Sequence, residues 1–209
     1  GLTLAIILCS LVLFGSKRLA VVSFFVLACF LSTNQRIVIA NLDFDFTRLL
    51  IIAGLFRVIV RGEFRSVRRR KQDLLIILFV LSSTLGMVIR TSGEGLENRL
   101  GFALDSLGLY FLFRTWVRSG EDLIWILKGA ILVSIPVVFL FGYEHFTGHN
   151  PFSFLGGVNE AAFVRKGRIR CQGAFPHSIL AGVFFAVLAS MYFGAFLSEK
   201  KSSYLFLLG

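Results

Sequence analysis

Apolar segments of near-membrane length, separated by short polar connections, constrain the fold of this chain more than any other feature of its sequence. A membrane-spanning helix needs about 20 mostly apolar residues, with about 17 as the lower limit. The pattern therefore predicts an all-α fold, a polytopic transmembrane helical bundle of about seven to eight spans. The predicted segments lie at about 2–14, 19–34, 37–60, 73–89, 100–117, 122–142 and 178–197, and another begins near 203.

The composition supports a membrane protein and argues against a nucleic-acid-binding one. The chain is 56% hydrophobic, whereas soluble domains are usually about 45–50% apolar. It has 22 Lys and Arg against 12 Asp and Glu, a formal charge of +10. In a soluble protein this excess would indicate nucleic acid binding. Because most of these cations flank apolar segments, membrane topology explains them better, and we expect no nucleic acid partner.

The segments divide the chain into three parts. Residues 1–142 hold about six N-terminal transmembrane helices, residues 143–177 form a basic loop outside the cytoplasm, and residues 178–209 hold further transmembrane helices that are truncated. The chain begins with Gly1 and stops within a new apolar run. We therefore expect it to be a fragment of a longer membrane protein.

The distribution of Lys and Arg predicts how the chain is oriented. The short loop 61–72 contains six cations and one carboxylate, so the positive-inside rule places it in the cytoplasm. Alternation of the spans puts Lys17, Arg18, Arg118 and the Lys200–Lys201 pair on the same side. The loop 143–177 then lies on the outer face of a multi-pass plasma membrane protein.

A group of four cations within that outer loop is the strongest candidate for a functional site. Lys and Arg are normally scarce on the outer side, so the group suggests binding of an anion. Arginine captures phosphate or carboxylate in a bidentate manner. Two of the arginines alternate along an extended stretch and should point to one face. The four candidates are Arg165, Lys166, Arg168 and Arg170.

The turn after this group predicts the geometry of the site. Gly173 permits an unusual turn or a close backbone approach. Pro176 fixes the start of the next helix, and His177 lies at that start. Because a helix N-terminus also attracts anions, the region is suited to a lipid-linked diphosphate. The alternative is a loop that only contacts anionic lipid headgroups.

Charged residues inside the apolar segments provide a second set of candidates. Asp43, Asp45 and Arg48 cluster near the outer end of the third segment, and Asp105 lies within the fifth. Asp45 and Arg48 are three residues apart and can pair, while Asp105 can pair with an arginine from elsewhere. Such residues usually face the interior of a bundle. They are either structural anchors or, for Arg48 above all, part of a cavity for an anionic substrate.

No cofactor or metal is predicted. The sequence has no phosphate-binding loop, dinucleotide fingerprint or zinc-protease motif. Cys171 stands alone in its loop, which favours neither a disulfide nor a zinc site. The glycine at 148 argues against His145 and His149 as a helical metal pair. The residues identify no catalytic group, so the chemistry would depend on binding and orientation.

The stretch 168–182, Arg-Ile-Arg-Cys-Gln-Gly-Ala-Phe-Pro-His-Ser-Ile-Leu-Ala-Gly, resembles a segment of the O-antigen ligase/polymerase family. Those bacterial polytopic membrane proteins have a similar Arg-x-x-Gly-x-Phe turn followed by a helix rich in small residues. The segment 143–152 and the succession of spans are also similar. The resemblance is closer over 143–182 than over the rest of the chain, and it does not separate ligases from polymerases.

The resemblance implies a GT-C-like fold and a metal-independent membrane glycosyltransferase. Such an enzyme takes a glycan from undecaprenyl diphosphate at the periplasmic face of the bacterial inner membrane. It passes the glycan to lipid A-core, to a growing glycan or to a protein. On the matching positions, Arg170 would hold the diphosphate and Arg168 would support it. The family also uses a later outer loop with another Arg and a His, which residues 1–209 do not contain, so either the catalytic half is missing from this sequence or the chain is not a working enzyme.

Two other functions stay open at this point. A transporter or flippase-like protein for an anionic lipid-linked substrate would use the same outer cations and the same charges within the membrane. A structural or assembly subunit would need them only for topology. A second long outer loop with Arg and His would favour the enzyme, whereas an inverted repeat would favour transport.

Overall fold

The computed structural model describes residues 1–39, 42–67, 70–90 and 96–199, and within these ranges the chain is mainly helical. Two short antiparallel hairpins interrupt the helices, so all-α describes the framework but not every connection. The helices are α1 (Leu2–Phe14), α2 (Lys17–Phe30), α3 (Phe46–Val60), α4 (Lys71–Arg90), α5 (Leu96–Trp116), α6 (Gly120–Thr147) and α7 (Ser178–Glu199). The strands are β1 (Arg36–Ile39), β2 (Leu42–Asp45), β3 (Phe163–Arg165) and β4 (Arg168–Arg170).

Three helices of the described ranges are long and apolar enough to cross a membrane: Lys71–Arg90, Gly120–Thr147 and Ser178–Leu197. The helices α1, α2 and α3 have 13, 14 and 15 residues. At about 1.5 Å per residue they are about 20–23 Å long, less than the bilayer core of about 30 Å. The predicted count of seven to eight spans is therefore not confirmed. The segment expected near 203 lies outside the described residues.

The predicted third segment, 37–60, is wrong in its first half. That half forms the β1–β2 hairpin, in which Arg36 pairs with Asp45 and Ile37 with Phe44. Its β-branched run favours a strand. The helix α3 begins only at Phe46, because the Asp45 side chain caps it: Asp45 Oδ1 accepts a hydrogen bond from the Arg48 backbone N–H at 2.8 Å. A segment that hydropathy alone assigns to one helix is thus a hairpin followed by a shorter helix.

The helix α6 is longer than its apolar segment predicts. It begins with a capping box between Ser119 and Asp122 and continues to Thr147. Gly148 then ends the helix in the left-handed region, with φ of +69°. The outer loop consequently begins at residue 148 rather than 143, and residues 143–147 form the last helical turn before it.

The main core lies among α1, α2, α3 and α5, and it encloses a buried charged group. Arg57 in α3 donates from Nη1 to the Val12 carbonyl at 2.6 Å, and its Nη2 lies 3.4 Å from Glu63 Oε1. Trp116 Nε1 donates to the other Glu63 oxygen at 2.9 Å. A buried arginine is costly unless it is paired and hydrogen-bonded. These contacts provide both and connect α1, α3 and α5.

Three basic connections meet at one end of the bundle. Arg18 at the start of α2 pairs with Asp122 at the start of α6 at 3.0 Å. Arg61 after α3 donates to the Leu13 carbonyl at 2.9 Å, and Arg118 donates to the Glu63 carbonyl at 3.1 Å. The turns at 15–18, 61–67 and 117–121 therefore share an end, as alternation of the spans requires. We call this the basic end, and its cytoplasmic location stays a prediction.

The close packing of α3 on α5 gives a testable prediction at Gly54. A Cβ at Gly54 would lie 2.8 Å from Leu112 Cδ1 and 2.9 Å from Trp116 Cη2. Overpacking of a core typically costs about 1–3 kcal/mol. We expect Gly54→Leu to lower the midpoint of thermal unfolding of the purified protein in detergent. Gly86→Leu in α4, where no atom lies within 4 Å of the added Cβ, is the control and should leave the midpoint nearly unchanged.

Candidate functional site

The four cations of the outer loop lie on the β3–β4 hairpin. The two residues of its tight turn, Lys166 and Gly167, have φ of +53° and +71°, the combination that two-residue hairpins favour. Arg165 pairs with Arg168, and Phe163 pairs with Arg170. Paired residues and alternate residues of a hairpin share a face. Arg165, Arg168 and Arg170 therefore lie on one face, which we call the cationic face.

The β3–β4 hairpin carries four cations that no described carboxylate pairs with. Arg165, Lys166 and Arg168 are exposed and Arg170 is half-buried. Among the described residues, none of the four makes an ion pair. The four cations line a shallow cavity of about 480 Å³. Exposed cations held close together by a rigid turn attract an anion and leave their donors available to it.

A second cavity joins the cationic face to the start of α7. It has a volume of about 440 Å³, and Arg165, Arg170, Pro176 and His177 all line it. His177 begins the helix, since its carbonyl accepts a hydrogen bond from the Leu180 N–H at 3.0 Å. The first residues of α7, Ser178 and Ile179, thus line the same space as two arginines. Both features favour a negatively charged group.

An apolar groove adjoins this polar cavity. It has a volume of about 460 Å³ and lies between α2, α5, the turn at 174–176 and α7. Phe24, Phe113, Phe175 and Leu188 are among the residues that line it. Pro176 lines both the groove and the polar cavity. The arginine-lined cavity and the apolar groove therefore meet at a single turn of the chain.

The turn itself is held by a fully buried carboxylate. Glu144, in the last part of α6, accepts hydrogen bonds from the backbone N–H of Gln172 at Oε1 and of Gly173 at Oε2, both at 3.0 Å. Asn150, also fully buried, donates from Nδ2 to the Gly173 carbonyl at 2.9 Å and accepts from the Phe152 N–H at 3.0 Å. We call this arrangement the Glu144 clasp. It fixes the position of the chain between Arg170 and the start of α7.

Gly173 occupies a conformation and a space that other residues do not fit. Its φ is +58°, in the left-handed region that favours glycine. A Cβ there would lie 2.5 Å from Phe141 Cε2. Beside it, burial raises the pKa of the Cys171 thiol, and the negative charge of Glu144 raises it further. The thiol is therefore protonated at neutral pH, which makes it a poor nucleophile.

The structure separates Arg48 from the other predicted site residues. Arg48 lies in the first turn of α3, and its Nε is 3.3 Å from Asp105 Oδ2 in α5. This confirms the prediction that Asp105 pairs with an arginine from another segment. Arg48 lines neither of the two outer cavities that the hairpin arginines line. The side chain of Asp43 lies outside the described part of the structure.

Sequence reasoning assigned no role to Glu144 or Asn150, although both are central to the turn. The available signal was a carboxylate in the last turn of an apolar helix, where an unpaired charge is costly.

The sequence also did not predict that the loop before α7 contacts the residues that precede the first hairpin. Asn34 donates to the Gly157 carbonyl at 3.2 Å, and Gln35 donates to the Leu155 carbonyl. These bonds hold the two outer connections together.

The histidines of the outer loop are not placed as metal ligands. His149 Nδ1 lies 3.5 Å from Glu160 Oε1, which is an exposed contact. His145 is exposed and lies beside the ring of Phe146. Within the described ranges, no group of three or more His, Cys, Asp or Glu side chains is arranged to hold a metal ion.

Comparison with known proteins adds no relative. No protein-family model matches the chain, and no curated protein or solved structure matches it either.

The Glu144 clasp makes a prediction about the mobility of the outer loop. Glu144→Gln keeps one side-chain oxygen, which can accept from one of the two backbone N–H groups. The side-chain amide N–H then faces the second backbone N–H, which loses its acceptor. An unsatisfied buried donor costs about 1–3 kcal/mol. We expect amide hydrogen exchange at 170–175 to accelerate by at least tenfold. Glu160→Gln is the control, because the Glu160 side chain is 76% exposed. Unchanged exchange in Glu144→Gln would show that the clasp does not stabilise the turn.

Proposed function

We propose that this chain is part of a membrane glycan transferase that moves a polysaccharide or repeat unit from undecaprenyl diphosphate to an acceptor. The acceptor is lipid A-core or a growing glycan, at the periplasmic face of the bacterial inner membrane. The observation that supports this best is the meeting of the cationic face and the apolar groove at Pro176. The resemblance of 168–182 to the O-antigen ligase/polymerase family favours the same function.

The chemistry of the donor matches the two parts of this site. A polyprenyl diphosphate has a head of two linked phosphate groups, whose oxygens suit arginine donors in a fixed arrangement. Its isoprenoid tail is apolar and suits a groove lined by phenylalanine and leucine side chains. In the proposal, Arg170 and Arg168 hold the diphosphate, with Arg165 at the edge of the same face. The tail runs past Pro176 along α7.

The contribution of these residues to catalysis is electrostatic. In the transfer, an acceptor hydroxyl oxygen forms a bond to the anomeric carbon, and the bond from that carbon to the diphosphate oxygen breaks. The leaving diphosphate gains negative charge, and cations placed against it stabilise the transition state. The group that removes the acceptor proton is not assigned to any described residue. The described part of the chain thus supplies donor binding and leaving-group stabilisation.

The proposal predicts that Arg170 is needed for transfer. We expect Arg170→Ala to reduce glycan transfer at least 100-fold, since it removes a charged donor from the leaving group. Arg170→Lys should also fail, because lysine cannot make the bidentate contact. The measurement is glycan transfer in a strain that lacks the chromosomal copy and carries the intact gene or a variant. Blotting of the membrane fraction reports insertion.

Arg65→Ala is the matched control for this experiment. Arg65 is an exposed arginine in the 3₁₀ turn Glu63–Ser66 near the basic end, so its loss should leave transfer unchanged. Normal transfer by a fully inserted Arg170→Ala protein would contradict the proposal. It would favour contact between the hairpin and lipid headgroups, or a transport function for the same charges.

The predicted orientation has its own test. Alkaline phosphatase fused after Gly167 should be active, because the enzyme matures only outside the cytoplasm, and a fusion after Arg69 should be inactive. A fluorescent protein that folds only in the cytoplasm should give the opposite pattern at the two positions. If the reporters at Gly167 indicate the cytoplasm, the hairpin lies on the wrong side of the membrane to bind the lipid-linked glycan, and the proposal is contradicted.

A further inference from the structure

The basic end of the bundle contains another pocket that the proposed function does not use. It has a volume of about 540 Å³ and lies between the C-terminal part of α5 and the connection that precedes α4. Three arginines and a tyrosine line it, together with apolar side chains that include Phe113 and Val117. The polar residues are Arg70, Tyr110, Arg114 and Arg118.

One carboxylate, that of Asp73, pairs with the side chain of Arg114 and accepts from the backbone of Arg70. Asp73 Oδ1 is 2.7 Å from Arg114 Nε, and the same oxygen accepts a hydrogen bond from the Tyr110 hydroxyl at 2.7 Å. The other oxygen, Oδ2, accepts from the Arg70 backbone N–H at 2.7 Å. The charge of Asp73 therefore offsets the charge of Arg114. It also organises the wall of the pocket.

The positive charge of Arg118 is held by neutral groups. Its Nε donates to the Thr115 carbonyl at 2.8 Å, and its Nη2 donates to the Glu63 carbonyl at 3.1 Å. These bonds fix the guanidinium but do not neutralise it. Arg70 has an exposed side chain at the rim. Among the described residues, three arginines line the pocket, and Asp73 pairs with the side chain of one of them, Arg114.

The position of the pocket indicates which kind of anion it suits. Arg70 immediately precedes Lys71, the first residue of the membrane-length helix α4. The pocket therefore lies at the level where a span begins, which is the interface between headgroups and acyl chains. Phe113 and Val117 give it an apolar wall, and the side chains of α4 nearby are largely exposed. A ligand with a phosphate head and an apolar body fits this combination better than free phosphate does.

We propose that this pocket binds the phosphate group of an anionic phospholipid, with Arg70 and Arg118 as its donors and the acyl chains along Phe113 and α4. The site is distinct from the cationic face of the outer hairpin. It is predicted to face the cytoplasmic leaflet, where negatively charged lipids attract basic segments. The inference does not depend on the proposed glycan transfer.

Lipid binding by the purified protein tests this proposal. The protein in a neutral detergent is titrated with phosphatidylglycerol, and bound lipid is counted by native mass spectrometry. Phosphatidylcholine is the first comparison, because its headgroup has no net charge. Inorganic phosphate is added as a competitor to separate a lipid site from a site for soluble phosphate. We expect retention of phosphatidylglycerol, weaker retention of phosphatidylcholine and no competition by millimolar phosphate.

Variants localise the bound lipid. Arg70→Gln and Arg118→Gln should each weaken phosphatidylglycerol binding about fivefold, the loss that corresponds to one cation at an anionic surface. Arg70→Gln removes no hydrogen bond that the described structure assigns to that side chain, so it tests the charge without disturbing the fold. Arg65→Gln, at the same end but outside the pocket, should bind as the parent does.

Three outcomes would overturn the proposal. Equal retention of the two lipids would exclude recognition of an anionic headgroup. Displacement of the lipid by millimolar phosphate would assign the pocket to a soluble anion. Unchanged phosphatidylglycerol affinity in both Arg70→Gln and Arg118→Gln would place the bound lipid elsewhere on the protein.

Discussion

The loop between α6 and α7 depends on one buried carboxylate. Glu144 lies in the last turn of a 28-residue apolar helix and is fully buried, and a buried charge is costly unless it is hydrogen-bonded or paired. Its two oxygens are satisfied by two consecutive backbone amides, those of Gln172 and Gly173. These two bonds attach the returning chain to α6. The direction of the hairpin, the conformation of Gly173 and the start of α7 all follow from that attachment.

Arginine has different roles at different places in this protein because its partners differ. Arg57 is buried, pairs with Glu63 and donates to a carbonyl, so it joins parts of the core. Arg48 reaches Asp105 and joins two helices. The hairpin arginines lie on a face where no described carboxylate pairs with them, and Arg118 is held by carbonyl groups. Of these four cases, the last two leave positive charge available for a ligand. This explains why charge counts alone do not identify a binding site.

The prediction of helices from hydropathy worked best where the apolar run was long and uninterrupted. The helices α4, α6 and α7 contain the segments expected at 73–89, 122–142 and 178–197. The prediction failed at 37–60, where an apolar run of β-branched residues forms a strand. A separate helix begins at Phe46, because the Asp45 side chain caps it. Hydropathy measures how readily a segment leaves water, and it does not distinguish a hairpin from a helix of similar composition. The helix boundaries and the number of spans were therefore the least accurate parts of the prediction from hydropathy.

The sequence by itself determined the membrane character of the chain, the clustering of cations in the loop before α7 and the unusual turn at Gly173. These follow from local composition and spacing, which are complete in the sequence. The tertiary structure decided which charges remain available, since pairing depends on residues far apart in the chain. It brought Arg48 to Asp105 and Glu144 to Gly173, and it placed the apolar groove beside the cationic face. Such contacts join segments 29 to 57 positions apart, and no local pattern of the sequence encodes them.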